Sequence, residues 1–61
     1  MSYANPSNNP YSDYIVADNV DLSQAERNTI ISWLNLKLIH NDEIITRLSR
    51  YANQGIIIQN D

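Results

Sequence analysis

Ile30-Ile31-Ser32-Trp33-Leu34-Asn35-Leu36-Lys37-Leu38-Ile39-His40-Asn41-Asp42-Glu43-Ile44-Ile45 is the stretch on which the fold turns. It reads either as one helix, a turn and a second helix, or as the middle of a single long helix. At about 100° per residue Ile30, Ile31, Leu34 and Leu38 fall on one stripe, the spacing of a helix facing a core. The apolar pattern then pauses at His40-Asn41-Asp42-Glu43. Asn41 suits both the end of one helix and the cap of the next, and two acids favour the positive end of the following helix. A turn at this point divides the chain into two helices.

The alternative is a heptad seam. Ile31, Leu34, Leu38, Asn41, Ile45, Leu48 and Ala52 fit alternating steps of three and four, with one buried Asn to fix register in a single long coiled-coil helix. That arrangement leaves Ile30, Trp33, Leu36, Ile39 and Ile44 largely off the seam, more apolar surface than a two-stranded coil covers. A hairpin buries them better.

Outward from the turn, the second helix carries Ile44, Ile45, Leu48, Tyr51 and Ala52 inward and leaves Arg47, Arg50 and Asn53 to water. Gly55 supplies a left-handed stop, with Ile56 placed to pack back on the last turn. Upstream, Ser23 and Glu26 have the spacing of a capping box, with Asp21 and Gln24 as a competing pair. Leu22, Ala25, Trp33 and Leu36 form a second apolar sector, so the first helix is apolar on two sides. One face suits the chain's own core and the other a partner.

The two ends are less regular. Residues 1–19 are rich in Asn, Ser, Pro, Asp and Tyr, which favour turns and solvated backbone. They read as a flexible or extended arm whose tyrosines, Tyr3, Tyr11 and Tyr14, offer apolar area with a polar tip. Asn5-Pro6-Ser7 is a turn signal, because the central proline removes it as a glycosylation acceptor. Tyr14-Ile15-Val16 has room for one short strand. Ile56-Ile57-Ile58 is also β-favouring; it can pack on the core, pair with Tyr14-Ile15-Val16, or engage another chain.

The sequence therefore predicts an all-α protein: a hairpin of two antiparallel helices over residues 20–61 with a short C-terminal extension, completed as a four-helix dimer, behind an arm over residues 1–19. The single coiled-coil helix is the alternative.

Composition narrows the function classes. The chain has 61 residues, no cysteine and a formal charge of −3. Without a disulfide, a domain that buries only about 60% of its unfolded surface often relies on association, so a homo-oligomer is expected. Four basic residues, Arg27, Lys37, Arg47 and Arg50, are too few to neutralise a run of phosphates, which disfavours nucleic acid. No stretch approaches the ~20 apolar residues that span a bilayer, and the first residues lack a signal peptide's pattern, so no membrane role and a cytoplasmic location are expected.

Chemistry finds no foothold. His40 is the single histidine, with Asn41, Asp42 and Glu43 adjacent in sequence rather than converging on one atom. A metal site needs several recurring ligands, and neither a second His nor a Cys exists to supply them. The hydroxyls of Ser23, Ser32, Thr46 and Ser49 have no visible base, and one glycine cannot build a phosphate-cradling loop. No catalytic residue, cofactor or metal is expected.

What remains is binding. Trp33 is the foremost anchor candidate, since tryptophans dominate interface energetics when they fill a pocket. Leu22, Leu36, His40, Tyr11 and Tyr14 complete the expected partner or oligomer interface. Arg47 and Arg50, neighbours at helical spacing, form a candidate anion-binding patch, against the ordinary alternative of solvated helix surface. The preferred reading is a small non-catalytic protein-protein interaction module, a regulator, adaptor or inhibitor presenting a helical face, with a phage or bacterial setting as the base-rate expectation. A dimeric strand-helix-helix DNA-binding regulator and a structural subunit of a larger complex are the alternatives.

Overall fold

Two helices form, and each begins at a cap written in the sequence. The computed structural model describes residues 7–60; Tyr3 and the Asn5-Pro6 turn lie outside them. Ser23 opens helix α1 (Gln24–Leu34), its hydroxyl accepting from the Glu26 N–H at 3.1 Å. The Glu26 carboxylate lies on the Ser23 hydroxyl at 3.4 Å, so Ser23, not Asp21, is the cap. Asn41 opens helix α2 (Asp42–Asn53) by accepting from the Glu43 N–H at 2.8 Å, with Asp42 and Glu43 in the positively polarised first turn.

The all-α expectation is corrected by four short strands. Strand β1 (Ser7–Asn8) pairs antiparallel with β3 (Leu38–Ile39), and β2 (Tyr14–Val16) pairs antiparallel with β4 (Ile57–Gln59). The protein is mixed helix and sheet, and neither the purely helical hairpin with its four-helix dimer nor the single coiled-coil helix describes it. Residues 35–41 are not helical, which breaks the heptad seam between Leu34 and Ile45.

Both sheets follow one scheme. The arm contributes a strand to each segment that leaves a helix, β1 to the exit of α1 and β2 to the exit of α2. Of the three uses open to the last isoleucines, two are realised at once. Ile57 and Ile58 pair with Val16 and Ile15, while Ile57 is buried in the core and Ile56 packs against it.

The core consists of Ile30 and Leu34 from α1, Ile39 from β3, Leu48 from α2 and Ile57 from β4. Leu48 is completely buried, worth about 1.5–3 kcal/mol relative to an exposed leucine. On α2 the inward set follows the sequence pattern: Ile44, Ile45, Tyr51 and Ala52 pack on this cluster, and Arg47, Arg50 and Asn53 are exposed. On α1 the stripe holds only in part. Ile30 and Leu34 are buried, but Ile31 is exposed, and Leu38 lies beyond the helix as an exposed strand residue.

The early end of α1 has a physical cause in the arm. The last carbonyls of a helix lack intrahelical partners. Here the buried Asn9 side chain donates from Nδ2 to the carbonyls of Trp33 at 3.1 Å and Leu36 at 2.8 Å, with Leu34 at 3.4 Å. Its backbone N–H donates to the Lys37 carbonyl at 3.1 Å, and its Oδ1 accepts from the Tyr11 N–H across Pro10. With these carbonyls bonded by the arm, alongside the Leu36 N–H on the Trp33 carbonyl at 3.2 Å, Leu38–Ile39 extend and meet β1 instead of adding a further helical turn.

Gly55 ends α2 as its sequence indicates. It takes φ of +75°, its N–H donates to the Ala52 carbonyl at 3.1 Å, and the Ile56 N–H donates to the Tyr51 carbonyl at 2.8 Å. This pair of bonds is a Schellman motif.

Candidate functional site

The lining residues run in opposite directions along the two helices. The start of α1 faces the later turns of α2, and the end of α1 faces its start. Neither helix makes its main backbone approach to the other: α1 packs chiefly on β2, and α2 on β3 and β4. Residues of α1, of α2 and Asn41 line an open groove between the two helices. It consists of two adjoining hollows, of about 480 and 330 Å³, that share Thr29, Trp33 and Arg47.

Each wall follows from helix spacing. Ala25, Glu26, Thr29 and Trp33 recur at steps of one, three and four along α1, and Glu43, Ile44, Arg47 and Tyr51 at similar steps along α2, so each set shares a face. Trp33 is half-buried, one side of the indole packed on the core and the rest toward the groove. Thr29, Arg47, Glu43 and Glu26 are exposed along it. Unlike Arg27, whose guanidinium donates to the Val20 carbonyl at 2.6 Å and the Ala17 carbonyl at 3.4 Å, Arg47 has no hydrogen-bond partner among the described residues.

The residues singled out from the sequence separate in space. Trp33 and Arg47 come together in the groove. Arg50 is exposed and is not part of its lining, so the two arginines are not joined at one site. Leu22 is half-buried against the core. Leu36, 38% exposed, follows the end of α1, and His40 is exposed just before α2. Tyr11 and Tyr14 pack half-buried on the chain's own core, edge to face with ring centroids 5.1 Å apart. The Tyr11 hydroxyl meets the Ser49 hydroxyl at 2.6 Å, fastening the arm to α2.

Three residues escaped the sequence reading. Asn9 holds the end of α1, and its signal is the Asn-Pro dipeptide, a turn initiator. Arg27 clips residues 17–20 to α1, and Thr29 stands in the middle of the groove; nothing local marks either role.

A separate hollow, of about 420 Å³, lies between β2 and α1, where Ile15 and Ile31 are each 44% exposed. Ile58, opposite Ile15 on β4, is exposed to the same extent. Among the described residues no group of three or more His, Cys, Asp or Glu side chains is placed to hold a metal ion, and no helix is long and apolar enough to cross a membrane. Compared with known proteins, the chain matches no family model, no curated protein and no solved structure.

Proposed function

We propose that this chain is a small, non-catalytic, cytoplasmic protein-protein interaction module, a regulator, adaptor or inhibitor that receives a segment of another protein in the groove between α1 and α2. The observation that carries this reading is the half-buried Trp33 set in that groove beside Arg47, which has no hydrogen-bond partner among the described residues. A few anchor residues carry most of the energy of a protein interface, and tryptophan and arginine are enriched among them.

Substituting Thr29→Arg tests it, because Thr29 is exposed and stands where the two hollows meet. Tagged wild-type protein and the variant, matched by circular dichroism, are used to capture partners from the native cell extract. A protein retained by the wild type and lost by the variant is the expected result. Equal capture by both removes the groove from the reading.

Self-association belongs to the same proposal but to another surface. The outward face of the β2–β4 sheet, with Ile15 and Ile58 opposed and Ile31 nearby across the α1 hollow, is where uncovered apolar area gathers. Light scattering over a concentration series is expected to show mass rising above 7.0 kDa; a constant monomer mass rules self-association out.

A strand-helix-helix DNA-binding module ranks below this reading. Strand β2 is already paired along one edge with β4, and Tyr14-Ile15-Val16 carries no cation for phosphate. No specific observation favours the structural subunit.

A further inference from the structure

From the charges along the α1–α2 groove we infer that its occupant is a protein segment bearing a carboxylate next to a basic side chain, the carboxylate on Arg47 and the base on Glu43. The inference rests on the interaction-module reading and adds the chemistry of the partner. Glu43 and Arg47 are four residues apart on α2, about 6 Å at about 1.5 Å per residue. Both are exposed, and neither side chain has a hydrogen-bond partner among the described residues. Glu26 on α1 lines the hollow on the far side of Arg47, so among the described residues the cation of the groove stands between two acids.

Trp33 sets the remaining requirement. Its indole lies at the level of Ile44 and Arg47 and offers an apolar platform whose N–H has no acceptor among the described residues. A complementary segment presents an apolar side chain to Trp33 and Ile44, an Asp or Glu to the Arg47 fork, and a Lys or Arg about 6 Å further on, opposite Glu43. That spacing is four residues on a helix or two on a strand. A carboxylate pairs with the guanidinium by two parallel hydrogen bonds, which fixes register, while the opposed Glu43 repels a uniformly acidic segment.

Random twelve-residue peptides displayed on phage, selected on the intact 61-residue protein, test this without knowledge of the native partner. Trp33 is the only tryptophan, so its emission reports occupation of the groove by the synthetic forms of the selected peptides. The expected peptides carry an acid and a base two or four positions apart, shift Trp33 emission, and bind at least tenfold more weakly to Arg47→Glu. With Glu43→Lys and Arg47→Glu combined, an exchange of two exposed charges, selection is expected to return the opposite charge order. Groove-binding peptides without a paired acid and base, or with unchanged affinity for Arg47→Glu, overturn the charge inference and leave the groove reading intact. A library that yields no peptide shifting Trp33 emission also overturns it. The groove reading is then judged separately by capture on wild type against Thr29→Arg.

Discussion

Helix α2 ends at Gly55, where a residue without a Cβ turns the backbone left-handed and the N–H groups of Gly55 and Ile56 return to the last carbonyls. Helix α1 ends at Leu34, and its last carbonyls are met by the side chain of Asn9, twenty-four or more residues upstream. The first terminator acts within five residues of chain and needs nothing else to be folded. The second exists only once the arm has docked. Damage to the first should therefore stay local, whereas damage to the second should reach the β1–β3 pairing and the arm together.

The largest effect is expected from Asn9→Asp. The change keeps Oδ1 for the Tyr11 N–H but removes both Nδ2 donors and sets a buried negative charge against the carbonyls of Trp33 and Leu36. A buried charge left without a partner costs about 3–5 kcal/mol, so urea unfolding should show a loss of that order. Amide exchange should rise at residues 7–9 and 36–39 together. A loss below about 1 kcal/mol would mean that Asn9 does not hold the end of α1.

Gly55→Ala comes next. A Cβ at Gly55 meets nothing within 4 Å, so the penalty is that of the left-handed backbone alone, about 1–2 kcal/mol. Gly55→Asn should lose less, since Asn tolerates this conformation best among the other residues. Exchange should quicken over residues 51–57 and leave 36–39 unaffected, and a response at 36–39 would break the contrast between the two helix ends.

The smallest effect belongs to Tyr11→Phe. It deletes the hydroxyl bonded to Ser49 and keeps the ring against Tyr14. A loss of about 1 kcal/mol is expected in thermal unfolding, near the net worth of one hydrogen bond. No change at all would show that packing of the Tyr11 ring on the core, not its hydroxyl, holds the arm in place.

The groove was legible only in pieces. Trp33 and Arg47 stand out in the sequence by residue type, and the inward face of α2 by its periodicity. That Trp33 and Arg47 share one groove with Thr29 and Glu43 depends on how α1 and α2 face each other, which no local pattern records. Arg50, adjacent to Arg47 on paper, falls outside the lining. Tyr11 and Tyr14 offer the same amphipathic chemistry to a partner or to their own core, and in the folded chain they lie on the core.

By itself the sequence determined the two helix starts, the inward face of α2 and the stop at Gly55, because caps, periodicity and left-handed backbone act within a few residues. Tertiary structure alone decided that Leu38 belongs to a strand, that the arm threads both helix exits, and that the protein is mixed rather than all-α. The stripe from Ile30 to Leu38 carries a helical period throughout. That period lost to the Asn9 hydrogen bonds and the strand pairing at Ser7–Asn8, interactions between residues too far apart in the chain for any window of sequence to contain both partners.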